Sequence, residues 1–193
     1  MKIHQPAELI QDVSVCLEML KEGNERYLKG ESIDRTHYAD DRAVLATGQK
    51  PFAVIVTCSD SRVAPEVFFD QKLGDLFVIR NAGNVCDPTA LGSIEYAVEH
   101  LGTSLVVICG HSCCGAVTAA VEGGDEELPP NLKSVIDRIQ PAAAKSSGDV
   151  DKAIRINIEE MMAITKADAI IEHEGATVVG AYYDISSGEV IWL

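Results

Sequence analysis

Phe52-Ala53-Val54-Ile55-Val56-Thr57-Cys58-Ser59-Asp60-Ser61-Arg62 is the stretch that decides the fold. Its first half is a continuous apolar run, the pattern of a strand buried on both faces. Its second half is abruptly polar and carries a thiol, a carboxylate and a guanidinium within five residues. Leu76-Phe77-Val78-Ile79 and Ser104-Leu105-Val106-Val107-Ile108-Cys109 repeat the apolar run. Between these two lies a helical pattern. Asp87 suits its N-cap and Pro88 its first position, Ile94, Ala97, Val98 and Leu101 form its apolar stripe, and Gly102 ends it. Strands alternating with helices predict a parallel sheet with right-handed crossovers. The third run leads into His111-Ser112-Cys113-Cys114-Gly115, a second chemistry-bearing loop. Both loops then fall beyond the carboxyl ends of strands, where open α/β sheets place their sites.

The flanks complete an α/β fold. Residues 7–29 read as an amphipathic helix, with Leu9, Val13, Leu17, Leu20, Tyr27 and Leu28 on one stripe, Pro6 at its start and Gly30 at its end. The next twenty residues are polar and predict a connection with a short helix. Residues 123–131 form an acidic loop containing Gly and Pro, and helical segments follow over roughly 132–145 and 151–172. Thr177–Tyr183 reads as a fourth strand, Ser186-Ser187-Gly188 as a turn and Val190-Ile191-Trp192 as a short last strand. The expected architecture is a mainly parallel central sheet of about four strands with a C-terminal antiparallel edge strand, flanked by helices, with an N-terminal helical arm. One domain spans 1–193, with an arm over 1–48, a core over 49–122, a helical region over 123–175 and a hairpin over 176–193.

Composition excludes several partners. The chain has 193 residues, 47% of them apolar, and a formal charge of −14. Nucleic acid needs a basic face that this chain lacks, and anionic membranes would repel it. No run approaches the ~18 apolar residues of a spanning helix, and the first residues lack the apolar core of a signal peptide, so a soluble cytoplasmic protein is expected. Six cysteines in such a protein point to metal binding or burial rather than a disulfide framework.

Cys58, His111 and Cys114 supply sulfur, nitrogen and sulfur, and Asp60 is a conditional fourth ligand. Zinc accepts this mixture, and three protein ligands leave a position for water. The spacing is too long for a zinc finger and fits two loops converging from neighbouring strands. It also fits a buried cysteine beside a capping histidine. Cys16, Cys86 and Cys109 read as small buried residues, and Cys113 as filler rather than half of a disulfide. His4, His37, His100 and His173 read as surface or capping residues, any of which could carry protons. Asp125-Glu126-Glu127 reads as solvated loop.

CSDSRVAPEVFF, GDLFVIRNAGNV, GSIEYAVEHLG, VICGHSCCGAV and GAYYDISSGEV together resemble the β-class carbonic anhydrases, as does the N-terminal LKEGNERYLKG. The likeness covers most of 17–122 and 176–191, whereas 123–175 matches poorly. It implies one Zn2+ per chain on Cys58, His111 and Cys114, with Asp60 and Arg62 controlling the fourth position. The aspartate binds the metal in some members and pairs with the arginine in others. Ile55, and Ala82-Gly83 within Arg80–Asn84, align this chain with the second, unregulated kind. The implied reaction is reversible hydration of CO2 to bicarbonate and a proton. Two thiolates would leave zinc formally neutral and raise the pKa of its water relative to a three-histidine site. The resemblance further implies that Gln49 donates to a substrate oxygen, that Phe77, Ala82 and Tyr96 line an apolar wall, and that Gly83 and Gly115 allow close backbone approach. Pockets of this kind are built from two chains, so a homodimer or higher homo-oligomer is implied. Hydrolysis of carbonyl sulfide or carbon disulfide on the same scaffold is the nearest rival, and a non-catalytic bicarbonate-binding or structural zinc protein is the other.

Overall fold

The computed structural model describes residues 9–34, 38–123 and 128–193. Among these, five strands form one sheet in the order β2-β1-β3-β4-β5. They are β1 (Ala53–Cys58), β2 (Leu76–Asn81), β3 (Leu105–His111), β4 (Thr177–Tyr183) and β5 (Val190–Trp192). The first four are parallel, and β5 returns antiparallel on β4. The expected α/β architecture is therefore present. Every residue of β1 and β3 is buried, as their unbroken apolar runs require. β2 has an equally apolar run yet lies at the sheet edge, half-buried. An apolar run reports a strand but not its rank in the sheet.

Each face of the sheet is covered. On one, Val54, Val56, Val106 and Ile108 pack against α4 (Pro88–Leu101), α6 (Pro130–Lys145) and α7 (Val150–Lys166), through Ile94, Ala97, Ile139, Ile154 and Ile158. On the other, Ile55, Val107 and Cys109 meet Cys16 and Leu20 of α1 (Val13–Lys29), with Phe68 and Phe69 at the end of the short α3 (Pro65–Phe68). The crossover through α4 has the predicted caps. Asp87 accepts the Ala90 N–H at 2.8 Å, and Gly102 ends the helix with φ 71°. Cys16, Cys86 and Cys109 are buried and unpaired, as read.

Three boundaries differ from the sequence reading. The first helix starts at Val13, not near residue 7, because the Asp12 carboxylate caps it by accepting the Ser14 and Val15 N–H groups at 2.9 and 3.4 Å. Leu9 precedes this helix, and residues 1–8 lie outside the described residues. The segment 151–172 is two helices. α7 stops at Lys166, and Asp168 caps α8 (Ala169–Glu174). α5 (Gly115–Glu122), which the sequence reading missed, follows the second loop directly. The expected connecting helix is α2 (Tyr38–Leu45). His4, His37 and Asp125-Glu126-Glu127 fall outside the described residues.

Candidate metal centre

β1 and β3 are hydrogen-bonded neighbours, so the loops that leave them open side by side. One ligand atom each from Cys58, His111 and Cys114 lies within 4.8 Å of the others, and all three residues are buried. His111 is fully enclosed. Its Nδ1 sits 2.9 Å from the Ser112 carbonyl oxygen, which can only accept, so Nδ1 carries the proton. Nε2 is left with its lone pair, buried and without a hydrogen-bond partner among the described residues. A buried lone pair beside two sulfurs fits a cation: the donor set is soft to borderline and suits zinc.

The two sulfurs share a proton. Cys58 is pulled down to about 4, first by a hydrogen bond from Cys114 and, against the opposing effect of burial, by the N–H groups of Gly83 and Asp60. Cys114 is pushed up by the same contact and by burial, although the N–H groups of Val117 and Ala116 favour its thiolate. Those N–H groups are free because Cys114 is the N-cap of α5, whose first turn has unpaired donors. A divalent cation in place of the shared proton would let both sulfurs ionise.

The two loops are held differently. In the first, Arg62 grips Asp60 with both ends of its fork: Nε to Oδ1 at 3.0 Å and Nη2 to Oδ2 at 2.7 Å. The Arg62 backbone N–H adds a third bond to Oδ1 at 2.9 Å. These bonds hold the Asp60 carboxyl well below the usual carboxylate range. Asp60 thus faces arginine, and it is not among the three grouped ligand residues. Arg80 ties the same loop from β2, donating to the Cys58 carbonyl at 3.0 Å and the Asp60 carbonyl at 2.7 Å. In the second loop, the Ser112 N–H donates to the Tyr183 carbonyl, and Ser112 Oγ accepts the Ile185 N–H, both at 2.9 Å. Cys113 is exposed with φ 56°, a left-handed turn that swings Cys114 back inside. Cys113 and Cys114 are both free, as read.

The residues named from the sequence separate into two groups. Gly83 donates its N–H to Cys58 Sγ at 3.4 Å, and Ala82 precedes it in the 3-10 turn Ala82–Asn84. Gly115 is exposed, with open space where a Cβ would point. These three lie at the cluster. Gln49 precedes β1, whereas Cys58 ends it, and Gln49 lines a groove with Thr47, Leu73 and Leu76. Phe77 pairs with Val54, four residues up the strand from Cys58, or roughly 13 Å away. Tyr96 packs on Phe77 at 6.2 Å and is 46% exposed. One chain does not bring Gln49, Phe77 and Tyr96 to its own cluster.

Sequence reasoning missed the loop-holding roles of Arg80, Ser112 and Asn157. Asn157 is fully buried in α7 and donates to the Gly83 carbonyl at 3.0 Å. Two of the three had a signal. Arg80 is a charge closing an apolar strand, and Asn157 is an amide inside an apolar helical stripe. Ser112 had none.

The comparisons with known proteins agree with this geometry. A family model described as carbonic anhydrase matches residues 53–190. The chain is 43% identical over 183 residues to carbonic anhydrase 2 of Mycobacterium tuberculosis, covering 89% of this chain and 88% of that protein. It is 38% identical over 182 residues to a carbonic anhydrase of Mycolicibacterium smegmatis, with the same coverage. Among solved structures it resembles the Coccomyxa β-carbonic anhydrase in complex with acetazolamide, with a TM-score of 0.74, 26% identity and coverage of 95% of this chain and 87% of that one. A tetrameric β-carbonic anhydrase of Sordaria macrospora gives a TM-score of 0.73 at 26% identity, over 89% of this chain and 93% of that one. Among the described residues, no helix is long and apolar enough to cross a membrane. With its converging Cys and His loops set on a sheet of this topology, the chain belongs to the β-class carbonic anhydrase family of enzymes.

Proposed function

We propose that this chain holds one zinc ion on Cys58, His111 and Cys114 and catalyses the reversible hydration of CO2 to bicarbonate and a proton. The observation that carries this reading is the buried, unpartnered Nε2 of His111 beside two sulfurs. When bound, zinc supplies the Lewis acidity that makes water a nucleophile near neutral pH.

The chain's own residues prepare the reaction. Ser112 fixes the His111 tautomer and ring by accepting the Nδ1 proton. The Gly83 N–H donates to Cys58 Sγ, and the N–H groups of Ala116 and Val117 in the first turn of α5 favour the Cys114 thiolate. Asp60 stays ionised against Arg62, and its remaining lone pairs accept a hydrogen bond from the attacking water, turning an oxygen lone pair toward carbon. Arg80 and Arg62 keep that carboxylate from swinging toward the cluster. Ala82, Gly83 and Gly115 offer small surfaces to a substrate that is itself small and apolar.

Gln49, Phe77 and Tyr96 complete a site only when supplied by a second copy, because within one chain Gln49 precedes β1, Phe77 lies near the start of β2 and Tyr96 of α4 packs on Phe77. A homodimer or larger homo-oligomer follows, which the exposed Tyr96 and half-buried edge strand support. Stopped-flow CO2 hydration with matched metal analysis tests the assignment. Stoichiometric zinc with turnover at pH 8.5 is the expected result. Zinc without turnover would reduce the cluster to a structural site. Turnover of carbonyl sulfide exceeding that of CO2 would reassign the substrate.

A further inference from the structure

Asn157 is fully buried in α7 among Ala153, Ile154, Ile158 and Met161. Its Nδ2 donates to the Gly83 carbonyl, and its Oδ1 has no hydrogen-bond partner among the described residues. A half-satisfied amide is a costly filler for a helix position surrounded by hydrocarbon. A leucine of similar volume would remove the cost. The contact it makes is therefore the informative feature. Gly83 stands at φ 72°, and a Cβ there would come within 2.5 Å of Ile139 Cδ1. The same residue presents its N–H to Cys58 Sγ. The turn Ala82–Asn84 is thus gripped through one carbonyl by α7 and pressed by α6, with its amide aimed at a sulfur of the cluster.

We propose that Asn157 is a positioning residue of the metal centre. It holds the Gly83 turn so that the amide stays on the Cys58 sulfur and withdraws charge from it. The inference rests on the zinc reading above. Hydrogen bonds from outside the ligand shell set ligand orientation and donor strength, and their loss typically costs about 10–100-fold in metal affinity. Without Asn157, the Gly83 amide drifts and the Cys58 sulfur loses the bond that orients it; the zinc site loosens through that lost orientation, although the freed sulfur is more electron-rich.

The test is a zinc competition titration and the visible spectrum of the cobalt form, on the wild type, Asn157→Leu, Asn157→Ala and Thr165→Val. Thr165 is the control, since it is buried in the same helix and its hydroxyl donates to the Met161 carbonyl and lies 3.4 Å from Cys86 Sγ, not beside a proposed ligand. Both Asn157 variants are expected to weaken zinc by about tenfold. Their sulfur-to-cobalt charge-transfer band should move to lower energy, because a sulfur without its N–H bond gives up charge more readily. Asn157→Leu should do this without a lower melting temperature, and Thr165→Val should change neither reading. Unchanged affinity and spectrum in the Asn157 variants, or an equal change in Thr165→Val, would overturn the proposal. If neither Asn157 variant folds, the cadmium form of the wild type decides. Scalar coupling between the Gly83 amide proton and the metal, carried across the Cys58 sulfur, supports the proposal, and its absence overturns it. A wild type that binds no zinc sinks the metal reading itself, whereas unaltered variants of a zinc-binding wild type sink this inference alone.

Discussion

The loop after β1 and the loop after β3 deliver ligands to one cluster by opposite means. The first, residues 58–62, is held by charge: Arg62 on the Asp60 carboxylate and Arg80 on two carbonyls. The second, residues 111–115, is held by the sheet and by a helix end: Ser112 on β4 and the following turn, and Cys114 at the N-cap of α5. The charged loop carries the group that would handle a proton, and the backbone-held loop carries two of the three proposed ligands. The Asp60 carboxylate is fixed by an ion pair, whereas His111 and Cys114 are placed by peptide geometry.

This contrast can be broken outright by removing a ligand. His111→Ala or Cys114→Ser should abolish stoichiometric zinc and bring CO2 hydration to background, as metal analysis and stopped-flow rates would show. If His111→Ala kept full metal, the second loop would not be the ligand loop. The next largest effect is expected at Asp60. Asp60→Asn should lose about 10^2-fold in turnover, the lower range for a positioned acid or base, while retaining zinc. Zinc loss in that variant would make Asp60 a ligand and overturn the division between the loops. Arg80→Gln should cost about 10-fold in turnover by loosening the first loop, with the residual activity more sensitive to salt than that of the wild type. Ser112→Ala should be smallest, about 1 kcal/mol in urea denaturation, because it removes one neutral hydrogen bond while the Ser112 backbone contacts survive.

Acid sharpens the comparison further. Asp60 has a folded pKa below its ordinary value of ~3.9, so the stability from its pairing is present above that value and lost as pH falls through the folded one. Metal-free wild type should therefore exceed metal-free Asp60→Asn in melting temperature at pH 7, and the gap should begin to narrow only below pH ~4 and survive in part at pH 3. A gap that stayed constant would mean that the arginine pair contributes nothing specific. Between pH 6 and 9 the pair does not titrate, so a rise of hydration activity across that range would not come from Asp60.

Much of this is legible in the sequence. The apolar runs gave four strands, Asp87 with Pro88 and Gly102 gave a helix with both ends, and the two polar loops gave the ligand types. These are properties of residues close together in the chain, where sterics and hydrogen bonding act without help from the rest. The failures were also local. Asp12 outcompeted the earlier start signal, and Asp168 broke a helix whose stripe ran on past it. The apolar run of β2 did not reveal an edge strand, because neighbours in a sheet are chosen by the whole topology.

What the chain alone determined is the inventory: which atoms can hold a metal, which carboxylate has an arginine two residues away, and which runs must be buried. What only the folded sheet decided is adjacency. β1 and β3 became neighbours although β2 and α4 lie between them in sequence, and that put Cys58 beside His111. The same packing set Asn157 under Gly83. The physical reason is range. Propensity and capping act over a few residues, whereas a three-point grip on one cation needs contacts whose entropic cost is met only when the entire core has closed.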